Sequence, residues 1–197
     1  MRITKHNALE VVVPARADFS IGKKFLRDRI EWVRKHLQSL DKSNNKLFYF
    51  GTELKVNHSI LASLKKHTMQ IKGNEFIVNS PTGSKLAVHD LFLEVLRFKG
   101  KIYLTDKCSV MAKLYGFEPK RISIRGQSTR WGSCSRRGTI SLNYKLLQLP
   151  EEAVDYIIMH ELCHLRHPNH SANFWTEVEK YVPDYKRIDK IVGKFKT

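Results

Sequence analysis

The sequence predicts an α+β protein, and three observations carry that expectation. Strand candidates precede helical patterns in each half of the chain, which separates α+β folds from alternating βαβ ones. Between Leu47 and Val78 the candidates are three or four residues long and broken by Gly-containing turns. The later segments instead repeat apolar residues at helical spacing.

Taken in order, Leu9 to Val13 reads as a short strand ended by Pro14. Ser20 caps a helix to about Leu40, because Leu26, Ile30, Val33, Leu37 and Leu40 make one apolar stripe. Strands follow at Leu47–Phe50, Leu54–Asn57, Met69–Ile71 and Glu75–Val78, with hairpin turns at Gly51-Thr52 and Gly73-Asn74. The run Ser80-Pro81-Thr82-Gly83-Ser84 is the best internal boundary, dividing an N-terminal part, 1–80, from a second domain, 81–197, with one continuous domain as the alternative. A long helix is expected from Lys85 to Tyr115, stopped by Gly116 and open to a kink at Gly100. Arg121–Arg125, Thr129–Cys134 and Thr139–Asn143 read as one antiparallel sheet. Pro150 and the acids after it open a helix running to about His167, where Pro168 stops it. Helices at Ser171–Tyr181 and Tyr185–Phe195 close the chain.

The 197 residues suffice to bury a core without disulfide or metal. A hydrophobic fraction of 42% with 27% charged residues excludes disordered, collagenous and coiled-coil classes. No apolar run approaches the roughly 18 residues of a membrane span. The N-terminus lacks an apolar core of signal-peptide length, and Cys108, Cys134 and Cys163 form no Cys-x-x-Cys pair. The expectation is a cytoplasmic protein. Thirty-five basic against 19 acidic residues give a net charge of +16. Such a field attracts polyanions, so non-specific contact with nucleic acid is one expectation, and a solvated basic surface the other.

The chemistry is concentrated in His160-Glu161-Leu162-Cys163-His164-Leu165-Arg166-His167-Pro168-Asn169-His170, which holds four of the nine histidines. Its first five residues spell H-E-x-x-H. On a helix, positions i and i+4 stack one turn apart, so His160 and His164 can converge on one zinc at about 2.0–2.1 Å. Glu161, about 100° round the helix, is placed to act as a base rather than as a ligand. His167 lies about 10.5 Å along the axis from His160, too far to share the ion, whereas His170 lies past the Pro168 break and can return to it. The 160, 164, 170 spacing is also that of the metzincin signature, which has Gly where this chain has His167. An open fourth position would hold water. Cys163 points away from His160.

With these residues the chain resembles the YgjP-like metallopeptidase family, a zincin branch related to SprT-like and WLM proteases. Arg130-Trp131-Gly132-Ser133-Cys134-Ser135, Leu142-Asn143, Asp155-Tyr156, His160 to His170 and Phe174-Trp175 carry the likeness. It is specific over Ile122 to Tyr185 and looser over Phe25–Leu40 and Leu47–Val56. The resemblance implies a zincin-like core, with an antiparallel sheet beside the H-E-x-x-H helix, and a smaller N-terminal β-rich part. It implies zinc on His160, His164 and His170 with Glu161 as catalytic base, and it supplies no substrate.

Arg130, Trp131 and Gly132 are candidate substrate-binding residues, because a peptide can add as a strand beside the metal helix. Equally, Trp131 can anchor the core and Gly132 mark a bulge. Asn143 and Asp155 are candidates to orient a ligand histidine, Tyr144, Tyr156 and Tyr185 to stabilise an oxyanion, and Asn143 and Tyr185 to touch substrate. Phe174 and Trp175 pack behind the site. The terminal helix, with Tyr185, Ile188, Ile191 and Phe195 amid basic residues, caps the core. The sequence therefore predicts a zinc-dependent metallopeptidase acting on polypeptides. The alternatives are a nucleic-acid-associated protein whose zinc site is secondary, and a zinc hydrolase of a non-peptide bond.

Overall fold

The computed structural model describes residues 2–3, 9–10, 20, 46–84 and 86–195. The chain forms two compact units, Met1–Lys46 and Leu47–Thr197, so the Ser80–Ser84 run falls inside the second. In the first unit, β1 (Arg2–Ile3) pairs antiparallel with β2 (Leu9–Glu10). The rest of the strand expected to Val13, and the helix expected after Ser20, lie outside the described residues.

The second unit opens with a four-stranded sheet. β3 (Leu47–Tyr49), β4 (Thr52–Ile60), β5 (Thr68–Lys72) and β6 (Glu75–Ser80) lie in the order β3-β4-β6-β5. β4 runs parallel to β6, while β5 and β6 form a hairpin about Gly73. β4 extends three residues beyond the expected Asn57 because its second half pairs with β6. Along β6, Phe76, Val78 and Ser80 point inward, the period of two expected of a half-buried strand.

Helix α1 (Val88–Leu114) lays Leu91, Phe92, Leu96, Gly100, Leu104, Cys108 and Ala112 into the core. Phe92 meets Phe76 edge to face at 5.3 Å. The helix is unbroken at Gly100. That residue serves packing instead, since a Cβ there would lie 3.0 Å from Cβ of Tyr144.

A second sheet holds β7 (Arg121–Arg125), β8 (Gly132–Cys134) and β9 (Thr139–Asn143) in the order β7-β9-β8. The expected all-antiparallel sheet is corrected here: β7 runs parallel to β9, and only β8 is antiparallel. The cause is the excursion 126–131. The Asn143 amide donates to the carbonyls of Gln127 at 2.8 Å and Arg130 at 3.1 Å, so this segment folds as a loop and β8 starts at Gly132 rather than Thr129. The hairpin back then places β9 in the centre.

A 3-10 segment (Tyr144–Gln148), absent from the sequence expectation, carries the chain to Pro150 and α2 (Glu151–Cys163). The β3–β4 turn docks on it. Phe50 and Gly51 both adopt positive φ, and their amides donate to the carbonyls of Leu147 at 2.8 Å and Gln148 at 3.2 Å. α2 buries Val154, Ile158 and Leu162 and packs against β8, β9, α3 (Ala172–Tyr181) and α4 (Tyr185–Val192). Among the described residues no helix is long and apolar enough to cross a membrane.

Because Gly100 sits against Tyr144, a branched side chain there overpacks the α1 contact. Gly100→Val is expected to lose about 1–3 kcal/mol of stability, read as a lower urea midpoint at unchanged slope.

Candidate metal centre

α2 ends four residues before the expected His167, at Cys163, with His164 as its cap. His160 lies on its last turn. Leu165 to His167 continue as a tight turn whose amides donate to the carbonyls of Leu162 and Cys163. The chain then passes Pro168 and returns His170. His160, His164 and His170 each offer a ring nitrogen, and the three atoms lie within 4.8 Å of one another.

Local bonds aim these rings. Nδ1 of His164 lies 2.9 Å from the His167 carbonyl, which can only accept, so Nδ1 carries the proton and Nε2 keeps its lone pair. Nε2 of His170 faces Nε2 of His160 at 3.0 Å. Two ring nitrogens this close need a proton or a cation between them. Nitrogens at about 2.0–2.1 Å from one tetrahedral ion such as zinc lie about 3.3 Å apart, close to the spacing found. Phe174 of α3 touches all three imidazoles and stacks on His164 at 4.5 Å. Trp175 stacks on His170, and Tyr185 on Trp175 at 5.1 Å. Burial, reinforced by the neighbouring imidazoles, pushes the His160 pKa down to about 3, and burial also lowers that of His164. Both rings are therefore neutral near pH 7, the form that ligates a metal. The donor set fits a divalent transition metal.

His167 takes a different place. Its ring bonds Glu177 of α3 at 2.6 Å, and Glu177 is also held by Arg166. Arg166 in turn stacks on Phe117 and donates to the Gly116 carbonyl at 2.7 Å. This chain of contacts ties the turn after α2 to α3 and to the end of α1. The sequence does not reveal it, since Glu177 is 11 residues from Arg166 and on another helix.

Glu161 is 5% exposed and lies against β8. Burial pushes its carboxyl pKa up to about 7, with Arg130 pulling it back down. Its Oε2 has no hydrogen-bond partner among the described residues. Gly132 makes the fit possible, because a Cβ there would lie 2.7 Å from both Cγ and Oε1 of Glu161.

The other residues singled out in the sequence fall as follows. Arg130 is exposed near Glu161. Trp131 packs half-buried against the core, and its carbonyl accepts from the Asn143 amide at 2.8 Å. The Asn143 side chain is fully buried and bonded to the 126–131 loop and to the Lys145 amide. Asp155 pairs with Lys107 at 2.7 Å. Tyr144 is buried against Gly100 and Gly126. The Tyr156 hydroxyl donates to Asp189 at 3.2 Å. Cys108 and Cys163 are buried with thiol pKa values pushed up to about 12, and the half-buried Cys134 is pushed to about 11.

The model of the YgjP-like metallopeptidase domain matches residues 1–194, and the chain belongs to that family. It is thus a metal-dependent peptidase, and its substrates are polypeptides. Two solved structures are similar over about half the chain. The metallopeptidase zymogen of Pyrococcus abyssi abylysin is 34% identical, with 47% of this chain and 94% of that one covered and a TM-score of 0.42. The metallopeptidase zymogen of Methanocaldococcus jannaschii jannalysin is 27% identical, with 46% and 95% covered and a TM-score of 0.41. No curated protein matches.

A methyl group at position 132 must displace the Glu161 carboxylate. Gly132→Ala is expected to cleave peptides about a hundredfold more slowly, the usual cost of an ångström-scale misplacement. Bound metal by elemental analysis should be unchanged.

Proposed function

We propose that this peptidase is a zinc enzyme of the zincin type, in which His160, His164 and His170 hold the ion and Glu161 is the general base. The observation that carries the reading is the convergence of three imidazoles, with the buried Glu161 carboxylate beside them on the same helix as His160 and one of its oxygens unpartnered among the described residues. Zinc is the ion preferred by an all-imidazole set with an open position. When bound, it supplies a Lewis acid that polarises a peptide carbonyl and acidifies water.

The remaining chemistry belongs to the chain. The apolar wall around Glu161 raises its proton affinity, so the carboxylate can take a proton from water and return it to the leaving amine near pH 7. Arg130 keeps a positive charge nearby, which limits that rise and keeps the base form populated. β8 is an edge strand of its sheet, so its open side can pair with an extended substrate next to Glu161. The His167 carbonyl holds the His164 ring in the tautomer that leaves Nε2 free.

Two outcomes test the assignment. Glu161→Gln is expected to keep about one zinc per chain and to lose peptide cleavage by at least about a thousandfold; retained proteolysis in that variant overturns the base assignment. His170→Ala is expected to weaken zinc binding far more than His167→Ala, because the latter keeps the backbone carbonyl that orients His164. Chelator competition measures both, and the reverse order makes His167 the ligand.

A further inference from the structure

We propose that a basic groove beside His164 receives acidic side chains of the polypeptide substrate, a few residues from the bond that is cut. This rests on the peptidase reading of the histidine cluster. The groove has a volume of about 490 Å³ and is lined by His164 and by three cations, Lys120, Arg136 and Arg137, against one carboxylate, Glu118.

The three cations are set on backbone that the fold holds in place. Arg136 and Arg137 are the central residues of the turn between β8 and β9. That turn is closed by the Gly138 amide donating to the Ser135 carbonyl at 2.9 Å, and by the Thr139 amide donating to Ser135 Oγ at 3.1 Å. Gly138 takes φ +76°, as such a turn requires. The Lys120 amide donates to the Gly138 carbonyl at 2.9 Å, and the Lys120 stem lies over Gly138. Neither arginine side chain takes part in the turn's own bonds, so the turn gives no reason for two adjacent arginines at its tip.

Their lack of partners points the same way. Lys107, Arg166 and Arg187 are each paired with a carboxylate in this structure. Lys120, Arg136 and Arg137 have no carboxylate partner among the described residues. Three exposed cations gathered at one groove repel one another, and an incoming carboxylate relieves that repulsion.

Position fixes the role. Gly132, which lies against Glu161, is four residues before Arg136 on the same hairpin. Extended chain covers about 3.3 Å per residue, so the Arg136 backbone is at most about 13 Å from that of Gly132, which lies against Glu161. A peptide lying along β8 therefore reaches the groove two to four residues from its scissile bond. A nucleic-acid track needs cations repeated along a strand, whereas these are confined to one turn and the residue pinned to it.

The test uses the full-length, zinc-loaded Glu161→Gln protein, so that binding is read without turnover. Fluorescence anisotropy compares labelled peptides that differ only in Asp or Asn at two to four residues from the centre. The Asp peptide is expected to bind about tenfold tighter at low salt, since exposed ion pairs are individually modest and screened. Adding Arg136→Gln and Arg137→Gln should bring the Asp-to-Asn ratio close to one. Adding Arg136→Glu and Arg137→Glu should invert the preference toward a Lys peptide, a gain that a misfolded variant cannot produce. Equal affinities for the Asp and Asn peptides, or an Asp preference that survives the double substitutions, overturn the proposal. So does a single-stranded oligonucleotide that displaces the Asp peptide at lower concentration than unlabelled peptide does, which would assign the groove to nucleic acid. Cleavage by the wild-type enzyme is scored separately. Cleavage without acidic preference defeats the groove alone, and acidic binding without cleavage defeats the peptidase mechanism alone.

Discussion

The hydrogen bond from His164 Nδ1 to the His167 carbonyl couples the tautomer of one imidazole to the path of the chain just after α2. If that path changes, the Nε2 lone pair turns away and His170 no longer arrives beside His160. The path is in turn held by groups that touch no metal. The His167 ring and Arg166 share Glu177, and Arg166 reaches back to the end of α1. Glu177 is half-buried and is bonded by both Arg166 and the His167 ring, and the charge-assisted bond from Arg166 is stronger than a neutral one. Burial pushes the Glu177 carboxyl up, but Arg166 and His167 outweigh it and hold its pKa below the usual value.

The other side of the site is built by close approach. The turn at Phe50-Gly51 docks on the 3-10 segment that leads into α2, so the four-stranded sheet fixes where α2 begins. Gly100 lets α1 lie against Tyr144 of the same segment. Gly132 lets β8 lie against Glu161. At each place a missing side chain sets the spacing between two elements, and Asn143 fixes the loop that delivers β8. Burial of Glu161 follows from this packing, and with it the raised proton affinity that suits a base.

The convergence of the three histidines was legible in the sequence because it depends on local spacing. His160 and His164 are one helical turn apart, and Pro168 gives a reason for the chain to turn back with His170. The α+β class and most element positions followed from periodicity and from Gly and Pro. The misses share a physical cause. Strand direction in the second sheet depends on what the 126–131 loop does, and that is decided by the Asn143 side chain from across the sheet. Pro168 predicts a helix running to His167, but α2 ends at Cys163 because the Leu165 and Arg166 amides turn to the carbonyls three residues back, tightening the chain. Gly100 looked like a kink because helix propensity says nothing of the tyrosine packed against it. Glu177 carried no signal, since its partners come from another segment.

The contact between Gly132 and Glu161 also bears on how such a protein can change over time. Positions 132 and 161 are 29 residues apart in the chain yet share one small volume. While a glutamate fills it, a side chain at 132 must push the carboxylate aside. Once position 161 shrinks to alanine or serine, room opens at 132 and a larger residue there restores the packing. Loss of the buried carboxylate and gain of bulk on the edge strand are therefore coupled steps, and the second closes the way back. In a chain of this fold, the pair of letters at 132 and 161 therefore records whether the proposed base and the space it occupies have been kept together.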